Sequence, residues 1–360
     1  MKNLYIHIPF CQRKCDYCAF YSETSCSAEE TDLYLNRMAS LIAQSSANPF
    51  ETIYIGGGTP TLLTFQQLEK LLKILHKYIN FQNITEFSIE SNPETLDEDK
   101  ILLLQDYAVS RLSIGVQSFK EKHRLTLGRH TRQEKIEKAM NLLRKHPFKH
   151  FNIDLIYAIP GQSIADFSED LQRVCDCGCD HFSAYNLTLE EQTALAANKI
   201  IINEDTACMM YETAGNFKPF HRYEISNYAL SPQSYCRHNC NIWQGDTLLG
   251  LGPSAASFDG IDRHIEVENL HDFLSGTPPE TDRIPAERRQ IEIFAVNLRT
   301  VNGWTKAQWE KKFPFSWNNI LQKSRNVAKL YPGCWHITEN HIKLSDTGLL
   351  FWNEISMELL

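Results

Sequence analysis

Leu4-Tyr5-Ile6-His7-Ile8-Pro9-Phe10-Cys11-Gln12-Arg13-Lys14-Cys15-Asp16-Tyr17-Cys18 is the stretch on which the reading of this chain turns. Its first half alternates like a β-strand, and Pro9 stops it. Three cysteines follow at once. Outward from here, β-branched apolar runs recur at Thr52–Ile55, Ile84–Glu90, Arg111–Val116, Phe151–Ile156 and His181–Leu187. Segments of helical periodicity lie between them: Thr31–Ser45, Phe65–Tyr78, Asp97–Tyr107, Gln133–Lys145 and Ile164–Cys175. Strands alternating with helices of this length predict an α/β fold of βα units around a parallel sheet, about six of them before residue 190. In such folds the chemistry sits at the carboxyl ends of the strands. The cysteines, Gly56-Gly57-Gly58 and several polar residues fall there.

After about residue 195 the pattern loosens. Residues 222–260 are rich in aromatics, Gly, Ser and Asn, and Pro278-Pro279 with Pro285 mark a linker. From about 284 the expectation is two helical segments and a short strand-like stretch, Trp335–Leu344. The division expected is 1–195, 196–280 and 281–360, the last a small helical or winged-helix-like domain.

The chain has 360 residues and a net charge of −8, which argues against non-specific nucleic-acid binding. No run of ~18 apolar residues is present to span a membrane. The start, MKNLYIHIPF, lacks the apolar core of an export signal, so a cytoplasmic location is expected. An odd number of cysteines, 11, without such a signal favours thiols or metal ligands over disulfides.

Cys11-x3-Cys15-x2-Cys18 can wrap three soft thiolates around one corner of a [4Fe–4S] cluster. Three ligands leave one iron open to chelate the amino and carboxylate groups of S-adenosylmethionine, whose sulfonium bond a single electron can break. The alternatives are a zinc site, which wants a fourth nearby ligand and has only Cys26 at an untypical spacing, or unligated buried thiols.

These residues resemble the radical S-adenosylmethionine superfamily, and within it the branch of coproporphyrinogen dehydrogenases and HemW heme chaperones. The resemblance lies in YIHIPFCQRKCDYCAFYS (5–22), IYIGGGTPTLL (53–63), FSIESNPETL (87–96), RLSIGVQSF (111–119), LGRH (127–130), NIDLIYAIPGQ (152–162), YEISNYA (223–229) and RHNCNIW (237–243). It implies a partial (β/α)6 barrel. It also implies that Tyr5, Gly57 and Glu90 serve a first S-adenosylmethionine. Gly58, Thr59, Gln117, Arg129 and Asp154 match a second such site.

Within the branch, coproporphyrinogen dehydrogenases resemble C-x3-C-x2-C-x-C, and here Phe20 stands at the fourth position. They also carry an N-terminal extension, whereas the first strand here begins within a few residues of Met1. Both departures, with YEISNYA, favour the heme chaperones. Their heme motif is His-Asn followed two residues later by Tyr-Trp. This chain reads His238-Asn239-Cys240-Asn241-Ile242-Trp243, keeping His and Trp but not Tyr. His238 is then the heme ligand, with Cys236 or Cys240 as thiolate alternatives and a loop-bonded histidine as the bland one. Ala256 stands where relatives usually have histidine.

The resemblance thus implies heme as cargo, a heme-acceptor protein, an electron donor, homodimerisation and peripheral membrane contact. The alternative activity is oxidative decarboxylation of coproporphyrinogen III. Cys175-x-Cys177-x-Cys179 reads as packing thiols ahead of a second metal site, Cys208 and Cys334 as isolated packing residues, and Arg237, Arg263 and His264 as surface charges ahead of partners for porphyrin propionates.

Overall fold

The computed structural model describes residues 1–198 and 200–360. Its centre is six parallel strands in sequence order: β1 Asn3–Ile8, β2 Thr52–Gly57, β3 Glu86–Ser91, β4 Arg111–Gln117, β5 His150–Tyr157 and β6 His181–Asn186. Helices 28–44, 65–78, 98–106, 133–145 and 164–176 connect them. Helix 65–78 buries Leu68, Leu71, Leu72 and Leu75, one face at helical spacing, and Thr64 and Gln67 cap it reciprocally. Ser163 and Asp166 do the same for helix 164–176.

Parallel strands covered on both faces usually run continuously apolar. These alternate instead. Leu4, Ile6 and Ile8, then Ile53 and Ile55, then Phe87 and Ile89, then Leu112 and Ile114 are buried in the main core. The intervening residues are Asn3, Tyr5 and His7, Thr52 and Tyr54, Glu86, Ser88 and Glu90, and Arg111 and Ser113. The sheet therefore has a greasy face against the helices and a polar face.

The segment after 195 is more ordered than its composition suggests. Helix 204–216 precedes β7 (His221–Glu224) and β8 (Asn227–Ala229), and β8 pairs antiparallel with β6. The chain then crosses beneath the sheet as helix 237–243. It adds β9 (Leu248–Leu251) parallel to β1, followed by β10 (Ala256–Phe258), β11 (Arg263–Ile265) and β12 (Glu280–Asp282). The twelve-stranded order is β12-β11-β10-β9-β1-β2-β3-β4-β5-β6-β8-β7. The linker expected around 278–285 is thus partly an edge strand.

The C-terminal part differs from the expected two helices and one strand. Helices 286–297, 306–312, 317–328, 346–350 and 352–359 surround a small sheet of β13 (Trp304–Thr305), β14 (Trp335–Ile337) and β15 (His341–Leu344). The stretch 335–344 is a hairpin, because the polar turn at 338–340 interrupts its apolar run. No helix of the described residues is long and apolar enough to cross a membrane.

Candidate functional site at the carboxyl ends of the strands

Beyond β1 the chain makes a loop tied at its base. Cys11 N donates to Glu23 O (2.9 Å) and Glu23 N to Pro9 O (2.6 Å). The loop rests on the 127–130 turn, where Asp16 N donates to Leu127 O (3.1 Å). The turn after β2 comes close beside it. Gly58 N donates to Ile8 O and Thr59 N to Phe10 O, both at 2.8 Å. A Cβ on Gly58 would lie 2.6 Å from Phe10 O and 3.0 Å from Cys11 Sγ, so only glycine lets the two loops meet.

Cys11, Cys15 and Cys18 open into one cavity of about 590 Å³, together with Gly57, Gly58, Thr59, Glu90, Gln117, Arg129 and Asp154. Ten of the twelve site residues named from the sequence therefore share one space. Its size suits a cofactor. Tyr5 is not among its walls. Its hydroxyl lies 3.0 Å from His7 Nδ1, and its ring packs 6.2 Å from that of Tyr54, which does line the cavity.

Two clusters of groups define the cavity's chemistry. In the first, Glu90 accepts from Tyr54 Oη (2.8 Å) and from Gly57 N (3.1 Å). Gly57 has φ +109°, and a Cβ there would strike the His7 ring at 2.8 Å. Burial pushes the Glu90 carboxyl up to about 7, against the opposing pull of the Tyr54 hydroxyl. In the second, Asp154 accepts from Ser113 Oγ (2.7 Å) and Asn152 Nδ2 (2.8 Å), and burial raises its pKa too. Arg129 donates to Gly115 O at 2.5 Å and points toward Cys15 Sγ at 3.9 Å, and its buried Nε has no partner. Gln117 holds a left-handed φ of +68° where β4 bulges, a strain typical of residues kept for a ligand.

The donor set can be tested against the metal expected from the spacing. Cys11, Cys15 and Cys18 are free thiols, and burial raises those of Cys15 and Cys18. Among the described residues, no three His, Cys, Asp or Glu side chains are close enough to share one ion. Three free cysteines of one loop on one cavity wall are the donor set that a cubane takes, one sulfur to each of three irons.

His238 is elsewhere. It lies at the amino ends of the strands, 2% exposed, with Nδ1 2.8 Å from Thr52 Oγ1 and its ring 5.1 Å from Tyr54. Its backbone N–H donates to Glu86 Oε1 (3.0 Å), as that of Arg237 does to Oε2 (3.1 Å). Burial holds the imidazole down at about 4. Cys236 is buried against Glu86, and burial pushes Cys240 up to about 12. The residue expected as the heme ligand is thus outside the cavity that holds the cysteines. The imidazole is enclosed by its own protein and cannot reach iron without undocking helix 237–243.

Other expectations also shift. Arg263 bridges Asp282 and Glu292 rather than standing as a free surface charge, and Cys208 is exposed rather than packed. Sequence reading missed Tyr54, Tyr17, Asn92 and Tyr185 in the cavity wall. Tyr54 carried a usable signal, since it falls on the polar side of the Thr52–Ile55 alternation.

Comparisons with known proteins agree with this layout. The Radical SAM superfamily model matches residues 5–174. The heme chaperone HemW of Lactococcus lactis is 30% identical, the match covering 99% of this chain and 97% of that protein. The heme chaperone HemW of Escherichia coli is 30% identical over 85% of each chain. In fold, the chain is similar to coproporphyrinogen III oxidase (HemN) from Escherichia coli, with a TM-score of 0.84, 22% identity, and coverage of 99% of this chain and 90% of that one.

Proposed function

This chain belongs to the HemW family of heme chaperones, and on that premise we propose that it binds heme and passes it to an acceptor protein. The observation that carries the reading is kinship to those chaperones along nearly the whole chain. Phe20, standing where related decarboxylases have a fourth cysteine, supports it.

Cys11, Cys15 and Cys18 would hold a [4Fe–4S] cluster. When bound, that group supplies an electron and an open iron for S-adenosylmethionine. Glu90 accepts from the N–H of that cofactor's amino group, and Gly57 lets its amino-acid end come close to the backbone. Tyr5 acts at one remove, through His7 and Tyr54. Gly58, Thr59, Gln117, Arg129 and Asp154 form the second cofactor site in this proposal. Arg129 keeps a positive charge beside Cys15, which favours thiolate there.

We assign residues 1–195 to cofactor binding, 196–280 to extending and sealing the sheet, and 281–360 to a C-terminal domain. We place the protein in the cytoplasm as a homodimer with peripheral membrane contact, working with an electron donor and without nucleic acid.

One anaerobic experiment tests the reading. The reconstituted protein is given S-adenosylmethionine, reductant and coproporphyrinogen III, and separately titrated with hemin. Saturable hemin binding without protoporphyrinogen is the expected result. Robust protoporphyrinogen formation would replace the carrier with an oxidative decarboxylase.

A further inference from the structure

The mouth of the cavity carries groups that the cofactor assignment leaves unused. Phe20 lines it and stands 69% exposed, and Tyr185 at the end of β6 lines it at 42%. Arg13 and Lys14 line it as well, both exposed. Among the described residues neither forms an ion pair. The chain is acidic overall, at −8, so two adjacent unpaired cations here are not part of a general positive surface. Glu190 is the acidic residue exposed on this rim, while Glu90 and Asp154 lie deeper among their hydrogen-bond partners. Ile156 and Leu187 add apolar wall.

We infer that this rim is the seat of the cargo macrocycle, with Phe20 and Tyr185 against the porphyrin plane and Arg13 and Lys14 on its two propionates. The inference rests on the heme-carrier reading and says where that cargo sits. A large aromatic ring left in water gains most from a flat apolar partner that covers it. Two neighbouring cations match a ligand with two carboxylates on one edge. The seat lies at the cysteine loop and on the opposite end of the sheet from His238. The same cations could instead receive an acidic electron-donor protein, but that role would leave the exposed Phe20 ring unexplained.

The test titrates the full chain, loaded with its cluster, with hemin and with hemin dimethyl ester, whose propionates are uncharged. Phe20→Ala is expected to weaken both ligands about tenfold. Arg13→Glu combined with Lys14→Glu is expected to weaken hemin about tenfold and leave the ester unchanged. Iron content and cluster absorption are read for every variant. Any variant that loads poorly is compared with cluster-free wild type. If wild type binds hemin and both variants equal it, the rim is not the seat, while the carrier reading stands. If wild type binds no hemin, both fall. If the charge variant keeps hemin affinity but loses reduction by an acidic flavoprotein, the patch is a donor-docking face and the inference fails.

Discussion

At the amino ends of the strands, the inward-facing polar residues close on one another; at the carboxyl ends they open on a cavity. Glu86 accepts from Arg111 Nε (3.0 Å) and from two backbone N–H groups of the 237–243 helix. Arg111 also donates to Ser234 O and Tyr235 O. Thr52 meets both Asn3 and His238, and His181 bridges Asn152 and Tyr223. At the other end Arg129 Nε is left over, Gln117 is strained and three thiols face open space. Both ends are rich in residues that a sequence reader marks as functional. What separates them is the cavity: Arg111 Nη1 also lacks a partner but faces no cavity, whereas Arg129, Gln117 and the thiols line one. A polar group satisfied within the fold specifies structure, and one left unsatisfied at a cavity specifies a ligand.

The comparison can be broken most sharply at the open end. Cys15→Ala should abolish uptake of the cluster, read as loss of its visible absorption after anaerobic reconstitution, with folding kept. Retained absorption would remove the cluster from Cys11, Cys15 and Cys18. At the sealed end, Glu86→Ala leaves the Arg111 charge buried and strips two backbone donors of their acceptor. It should cost about 3–5 kcal/mol in denaturant unfolding. A loss near 1 kcal/mol would mean that water reaches the sealed end.

Glu90 offers a pH test. Its carboxyl is held near 7 rather than 4.5, so the ligand-free fold binds more protons than the unfolded chain between those values. Stability from this group therefore falls as pH rises from about 4.5 to about 7. A bound N–H donor reverses the preference. The affinity for S-adenosylmethionine should rise about tenfold from about pH 6 to about pH 8 in calorimetry, and Glu90→Gln should flatten the profile. A profile that persists in Glu90→Gln would move the amino-group contact to another acid. The smallest effect is expected from His238→Ala, which should leave hemin affinity unchanged while costing about 1–2 kcal/mol of stability through the orphaned Thr52 hydroxyl. A lost Soret shift there would mean that helix 237–243 opens in solution.

The parallel core was legible because its signals are local. Helices 65–78 and 133–145 match the read boundaries at both ends, since each has an amphipathic face. The edge strands were not legible. β8, β10, β11 and β12 are only three residues long, and their identity comes from the neighbours they pair with rather than from their own pattern. At the site, the cysteines could be read from their spacing after the first strand, whereas the roles of Gly57 and Glu90 came from the family resemblance. Tyr54 could be read from the alternation of its strand, but Tyr185 could not be told from a core aromatic. The burial of His238 was hidden for the converse reason. Its partner Thr52 is 186 residues away, and no local pattern announces a long-range hydrogen bond.

β1 is bonded on both flanks, to β2 and to β9, with Asn3 opposite both Thr52 and Leu248. The strand that launches the cysteine loop is thus completed only by a strand made some 245 residues later. At about 5–20 residues per second, roughly 12–50 s separate the emergence of β1 from that of β9. During that interval the thiols hang from a half-supported edge on the ribosome. Metallation of the nascent chain is therefore expected to be premature until residue 251 is out, and the order of assembly is written into the strand register.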